Sequence, residues 1–231
     1  MGRSMGKITG VWEENGELAA RIQCPAPGVP APGQYVLASD PADRAAALPY
    51  RLFPTAIERD GFSAGPGLPR AWLPGSVLAL NGPLGRGFAL PEAARRAAFA
   101  CLDGSPARLR PAITTAISRG CAAILFSGGL EGALDRWPNA LEVAPLESLP
   151  EALGWADALA LAASPGGLAG LRSLLGWGAG KRLPFPAQVL VDVPLPCGGM
   201  AECGACAVRA RRGYRYACRD GPVFDLDELE W

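Results

Sequence analysis

PCGGMAECGACAVRARRGYRYACRDGPVFDLDELEW, residues 196–231, is the stretch on which the reading of this chain turns. It holds four of the seven cysteines: Cys197, Cys203, Cys206 and Cys218. Five residues separate Cys197 from Cys203, two separate Cys203 from Cys206, and Cys218 follows twelve positions later. A C-x2-C turn can present two sulfurs to one metal, and a [2Fe–2S] cluster takes four thiolates, two on each iron. Gly198, Gly199 and Gly204 let the backbone fold tightly, with N–H groups free to donate to sulfur. Two other readings stand beside this one. A structural zinc site more often has two C-x2-C knuckles, and buried, unliganded thiols need no metal at all. Cys24, Cys101 and Cys121 have no partner at ligand spacing and read as core residues.

Composition narrows the rest. Of 231 residues, 49% are hydrophobic and 19% charged, ordinary for a globular protein. Lys plus Arg and Asp plus Glu both number 22, so no net field calls for nucleic acid. Histidine is absent, which excludes Ser-His-Asp and Cys-His catalysis and the His-ligated Rieske cluster. The opening residues lack the apolar core of a secretion signal, and no apolar run reaches membrane-helix length. A cytoplasmic protein with no membrane contact is expected.

Outward from the cysteines, residues 7–90 read as short strands between turns. Ile8–Trp12 and Leu18–Ile22 form a hairpin through Asn15-Gly16, and QYVLAS and SVLALNGP are further strands. From Pro91 the pattern changes. ARLRPAITTAISRG is helical in composition, while CAAILFSG and DALALAAS have the unbroken apolar run of buried parallel strands. A barrel over 1–90, an α/β domain over 91–185 and a cluster module over 186–231 are expected.

The tail resembles the electron-transfer subunit of class 1B, NAD-linked dihydroorotate dehydrogenase, an iron–sulfur member of the ferredoxin reductase superfamily. That family ends in C-x4-C-x2-C, a Gly-aromatic turn and a fourth Cys before a GPVFD run. Here these are the cysteines above, Gly213-Tyr214 and Asp220 to Asp225, with one extra residue in the first spacing. Upstream, Pro32 to Ser39 is similar to the family's PGQF strand and Gly82 to Phe88 to its GPLGNGF turn. The resemblance implies an α+β, multidomain, ferredoxin-reductase-like fold: an N-terminal antiparallel barrel that binds flavin, a nucleotide-binding-like α/β domain and a [2Fe–2S] module. It also implies a partner, the FMN-containing catalytic subunit, in a heterotetramer serving pyrimidine biosynthesis.

Departures from the family mark where cofactors change. The flavin signature R-P-x-S is matched by Arg51 to Thr55, with Arg51 for phosphate and Thr55 as the remaining hydroxyl. The second flavin loop, G-x-G-T, becomes Gly65-Pro66-Gly67-Leu68, in which Pro66 has no N–H and Leu68 no hydroxyl. FAD is thus expected on an altered site of Arg51, Thr55, Gly67 and Leu68. The glycine-rich pyrophosphate loop is reduced to LDGSPARLRPA, and the C-G-P turn to Ala163-Ser164-Pro165, so NAD is not expected. Arg108 and Arg110 read as a solvated helix face. The function expected is electron relay through the cluster, toward FAD or another acceptor. The alternatives are an electron-transfer subunit of a hydrogenase- or sulfide-linked complex, or a non-redox scaffold that kept the fold.

Overall fold

The structure is a computed structural model and describes residues 2–14, 16–43, 48–128, 134–178, 180–197 and 199–231. Asn15, at the expected hairpin turn, and Gly198, in the cysteine loop, lie outside the described residues.

Seven strands form the first sheet: β1 (Arg3–Glu14), β2 (Glu17–Gln23), β3 (Tyr35–Ser39), β4 (Tyr50–Leu52), β5 (Pro54–Glu58), β6 (Gly61–Ala64) and β7 (Val77–Leu84). Their order is β4-β3-β7-β1-β2-β6-β5, and every pairing is antiparallel. The expected hairpin is present, with Ile8 opposite Ile22 and Val11 opposite Ala20. Its first strand starts earlier than the apolar pattern suggested, because Arg3 to Lys7 pair with β7. Along β7 every second residue is buried and those between are exposed or half-buried, as one covered face requires. Ile8, Ile22, Val36, Leu52, Phe62, Trp72 and Leu78 fill the interior.

The second sheet is built on β8 (Arg96–Cys101), β9 (Ala122–Ser127), β10 (Leu141–Pro145), β11 (Ala158–Ala163) and β12 (Ala187–Val191). Three helices accompany it: α1 (Arg110–Ser118), α2 (Leu149–Ala152) and α3 (Pro165–Leu174). A small hairpin of β13 (Ala207–Arg209) and β14 (Tyr214–Tyr216) follows, and then β15 (Val223–Asp225). The order is β10-β9-β8-β11-β12-β15, parallel except that β15 joins β12 antiparallel. All six residues of β11 are buried, which explains its unbroken apolar run.

Three elements carry little signal in the sequence. The Ala- and Arg-rich stretch before residue 102 becomes β8, where small residues suit a strand packed on both faces. β10 is a mostly exposed edge strand with no apolar periodicity. α3 begins Pro-Gly-Gly, a turn-like composition, yet Pro165 needs no N–H at a helix start and Ser164 caps it by accepting from the Gly167 N–H at 3.1 Å.

The segments around Gly33, Gly82 to Phe88 and Gly221 to Phe224, far apart in sequence, meet in one seam. A Cβ on Gly33 (φ +83°) would lie 2.7 Å from Val223 and 2.9 Å from Phe88. One on Gly85 (φ +76°) would lie 2.5 Å from Pro222 and 3.2 Å from the Tyr35 ring. The Arg86 N–H donates to the Gly221 carbonyl at 2.6 Å. Glycine is needed at these two positions by both conformation and close approach. The seam ties the first sheet to β15, and so to the cysteine loop that precedes it.

Candidate metal centre and the adjoining cleft

Cys206 follows a turn into β13, and Cys218 follows β14, so pairing of the two strands brings their thiols together. The sulfurs are 3.3 Å apart, and both residues are buried. Cys197 and Cys203 are the outer two, Cys197 half-buried and Cys203 exposed, and Cys203 is the neighbour that most favours the Cys197 thiolate. Between the pairs sits Ala201, at φ +61° the one non-glycine residue in the left-handed region among the described residues. Its N–H, with those of Glu202 and Cys203, donates to the Cys197 sulfur, and it also donates to Cys218. Successive N–H groups around a left-handed residue make a concavity for an anion.

The two pairs differ electrically. At Cys197 burial pushes the thiol up, but the Cys203 hydrogen bond and the three backbone donors outweigh it and bring the pKa down to about 6. At Cys218 burial and the neighbouring Cys206 push it up to about 12. Among the described residues no three His, Cys, Asp or Glu side chains converge on one metal position. Two separate pairs are instead what a two-iron cluster requires. Tetrahedral ligation at a metal–sulfur bond of ~2.3 Å sets each pair's sulfurs roughly 3.8 Å apart. The inner pair needs only a small opening to reach that separation.

Tyr35, from β3, lies beneath this loop. Its ring is fully buried, and its hydroxyl has no hydrogen-bond partner. Burial first, then the charges of Cys218 and Cys206, push its pKa well above the ordinary phenol value. The ring centre is 5.7 Å from that of Phe53. The sequence shows Tyr35 only as a strand residue of PGQYVLAS, because proximity to the cysteines arises only when β3 and the tail share the seam.

Phe53 leads into a cleft between the two sheets. The guanidiniums of Arg51 and Arg108 lie 5.2 and 4.9 Å from its ring centre. Asp192, just past β12, joins them: its Oδ1 accepts from Arg51 and its Oδ2 from Arg108, each at 2.5 Å. Arg51 also donates to the Val193 carbonyl. Burial pushes the Asp192 carboxyl up, but the charges of Arg108 and Arg51 prevail and hold it below the usual carboxylate range. The expectation of a solvated face for Arg108 and Arg110 is therefore corrected. Arg108 is tied to Asp192, and Arg110 is buried against Glu14 at 2.6 Å and against Trp137. Both carboxylates come from distant elements, so the pairing left no local pattern along the chain.

The other flavin-site residues are spread around the cleft. Thr55 is fully buried in β5, and its hydroxyl has no partner. Gly67 (φ +99°) is near Glu17, and the Leu68 N–H donates to the Leu18 carbonyl at 3.0 Å. Arg51 and Thr55 flank Phe53 in sequence, on β4 and β5 at the two ends of the strand order, while Leu68 packs against the interior of the first sheet. A cavity of about 400 Å³ is bounded by Glu17, Pro66, Asp103, Ser105, Arg108 and Asp192. At its rim the Asp103 carboxylate accepts from the Ser164 N–H at 2.7 Å and the Ser164 hydroxyl at 2.5 Å. A carboxylate of this chain thus stands at the start of α3, where an anionic ligand would gain most from the helix.

Residues 197–230 match the family model for the iron–sulfur cluster binding domain of dihydroorotate dehydrogenase B. Among solved structures, an NADH-dependent reduced ferredoxin–NADP oxidoreductase, studied for flavin-based electron bifurcation, aligns with a TM-score of 0.73. It is 17% identical, and the alignment covers 98% of this chain and 90% of that one. The FAD apo form of the ferredoxin reductase of carbazole 1,9a-dioxygenase aligns at 0.54, with 19% identity over 76% of this chain and 61% of the other. The FAD/NAD-binding domain of nitric oxide dioxygenase from Vibrio cholerae O1 biovar El Tor aligns at 0.57, with 13% identity over 82% and 99%. No curated protein matches the chain by sequence. The fold is ferredoxin-reductase-like, with an iron–sulfur binding segment near the C-terminus.

Proposed function

We propose that this ferredoxin-reductase-like chain is an electron-transfer subunit whose [2Fe–2S] cluster is held by Cys197 and Cys203 on one iron and Cys206 and Cys218 on the other. The observation that carries the reading is the close, buried pair of Cys206 and Cys218, with Cys197 and Cys203 in the loop of the left-handed Ala201 that precedes it. The cluster, when bound, supplies one-electron redox chemistry. Around it, the N–H groups of Ala201, Glu202 and Cys203 stabilise negative charge on sulfur. The buried inner pair keeps water from one side, and exposed Cys203 leaves the other side open to a partner. The division into 1–90, 91–185 and 186–231 remains part of the proposal.

The electron source proposed is an FMN-containing dihydroorotate dehydrogenase catalytic subunit in a heterotetramer, in the cytoplasm and in pyrimidine biosynthesis. The match over residues 197–230 supports it. FAD fits the cleft on one side only. Thr55 offers an unpartnered buried hydroxyl, while Arg51 would have to share its guanidinium with Asp192, Pro66 has no N–H and that of Leu68 is already used. Arg51 and Thr55 would bear most of its binding, with Gly67 and Leu68 giving contact alone. NAD fits poorly, because Asp103 holds the start of α3 and Asp192 engages both nearby arginines.

A second reading has one observation in its favour: the alignment over nearly the full length to a reductase from a different electron-transfer system. Anaerobic purification from the native cell tests both. About two irons and two sulfides per chain are expected, with a dihydroorotate-oxidising flavoprotein copurifying. A partner of another activity would move the assignment to the second reading, and a colourless, iron-free chain would refute both.

A further inference from the structure

We propose that the Tyr35 hydroxyl donates a hydrogen bond to a sulfur of the cluster and so sets its reduction potential. The proposal rests on the cluster assignment above and adds a positioning residue from outside the cysteine segment. Tyr35 is fully buried and its hydroxyl has no partner in the protein. A buried hydroxyl left unbonded is costly, so an acceptor is expected within reach. The hydroxyl faces the cysteine loop: a Cβ on Gly199, two residues after Cys197, would stand 3.7 Å from it. Gly199 thus leaves the space between the phenol and the loop open. Cys206 and Cys218 belong to the same packed core as Tyr35, so their sulfurs are acceptors on the side the hydroxyl faces.

The ring is not free to turn away. Gly85 approaches one edge so closely that a Cβ there would lie 3.2 Å from Cε1, and Leu84 and Phe53 pack around it. Residues of the seam therefore aim the hydroxyl. Where the resembling family writes PGQF, this chain has Tyr35, so the hydroxyl is the one atom added to an otherwise apolar position. A donor to cluster sulfur stabilises the reduced, more negative state more than the oxidised one, and so raises the potential.

The test is Tyr35→Phe in the anaerobically purified full chain, read by redox titration of the visible and paramagnetic signals. Phe keeps the packing, so iron, sulfide and the oxidised spectrum are expected to match the wild type. The ratio of reduced to oxidised cluster at a fixed poise is expected to fall about tenfold, about 59 mV for one electron. A second readout is the hyperfine coupling of the reduced cluster to a proton exchangeable in D2O, expected in the wild type and weakened in the variant. An unmoved potential with the cluster intact would overturn the proposal, as would an unchanged coupling. Absence of any cluster from the wild type would instead overturn the functional assignment, so the two failures are distinct.

Discussion

Replacing Arg110 with Met should unlock the joint between the two sheets. Arg110 begins α1 and Glu14 ends β1, and their contact at 2.6 Å has both side chains 6% exposed. One carboxylate oxygen of Glu14 and the Arg110 Nε have no hydrogen-bond partner, so the pair is joined by a single charge-assisted bond. Removing one member of a buried pair costs about 3–5 kcal/mol, because the other charge stays buried alone. The single bond points to the lower end, about 3 kcal/mol. At roughly 2–4 °C per kcal/mol for a chain of this size, Tm should fall by roughly 6–12 °C. Met suits the test because it can keep contact with the Trp137 ring, now 4.7 Å from the guanidinium. Replacing both, Glu14→Leu with Arg110→Met, should recover to within about 1 kcal/mol of the wild type, since apolar side chains carry no desolvation cost. Urea unfolding followed by tryptophan fluorescence and circular dichroism gives the cycle. A single variant within about 0.5 kcal/mol of the wild type, or a double variant whose loss is the sum of the singles, would refute the argument.

Other outcomes follow from the same geometry. Cys203→Ser should leave the stability of the cluster-free chain within about 0.5 kcal/mol, as for most exposed positions, yet lose the cluster by iron analysis; retained iron would remove Cys203 from the ligand set. Gly85→Ala should lower stability by more than the roughly 1–2 kcal/mol expected of a left-handed alanine, because its Cβ would also overlap Pro222; thermal unfolding measures it, and a neutral result would mean the seam yields easily. The depressed carboxyl of Asp192 contributes stability above its unfolded pKa near 3.8 and loses it as pH falls through the lower folded value. Asp192→Asn should therefore flatten acid unfolding below about pH 4, and an unchanged acid limb would mean that the Arg51–Asp192–Arg108 cluster is weakly coupled to folding.

Much of the fold was legible because it rests on local pattern. Period-two alternation in β7, the hairpin of β1 and β2, and the unbroken apolar runs of β9 and β11 each follow from which faces are covered. β8, β10 and α3 were not legible, since alanine-rich, edge and glycine-led segments take their structure from neighbours rather than from propensity. Thiol chemistry and spacing marked the four cysteines, including the C-x2-C pair, as candidate ligands. Their division into an inner and an outer pair was not in the spacing. It depends on the β13–β14 pairing and on Ala201 adopting a left-handed conformation.

What the sequence determined by itself was which reactive groups are present and where: four thiols near the C-terminus, no histidine, and a single glycine in the stretch LDGSPARLRPA. What only the tertiary structure decided was which groups answer one another across long separations. Asp192 takes Arg51 and Arg108, Glu14 takes Arg110, Asp103 takes the start of α3, and Tyr35 comes under the cysteines. The physical reason is that side-chain type and short-range spacing are written along the chain. Charge compensation and the filling of buried space act between elements that meet only after both sheets have formed and packed.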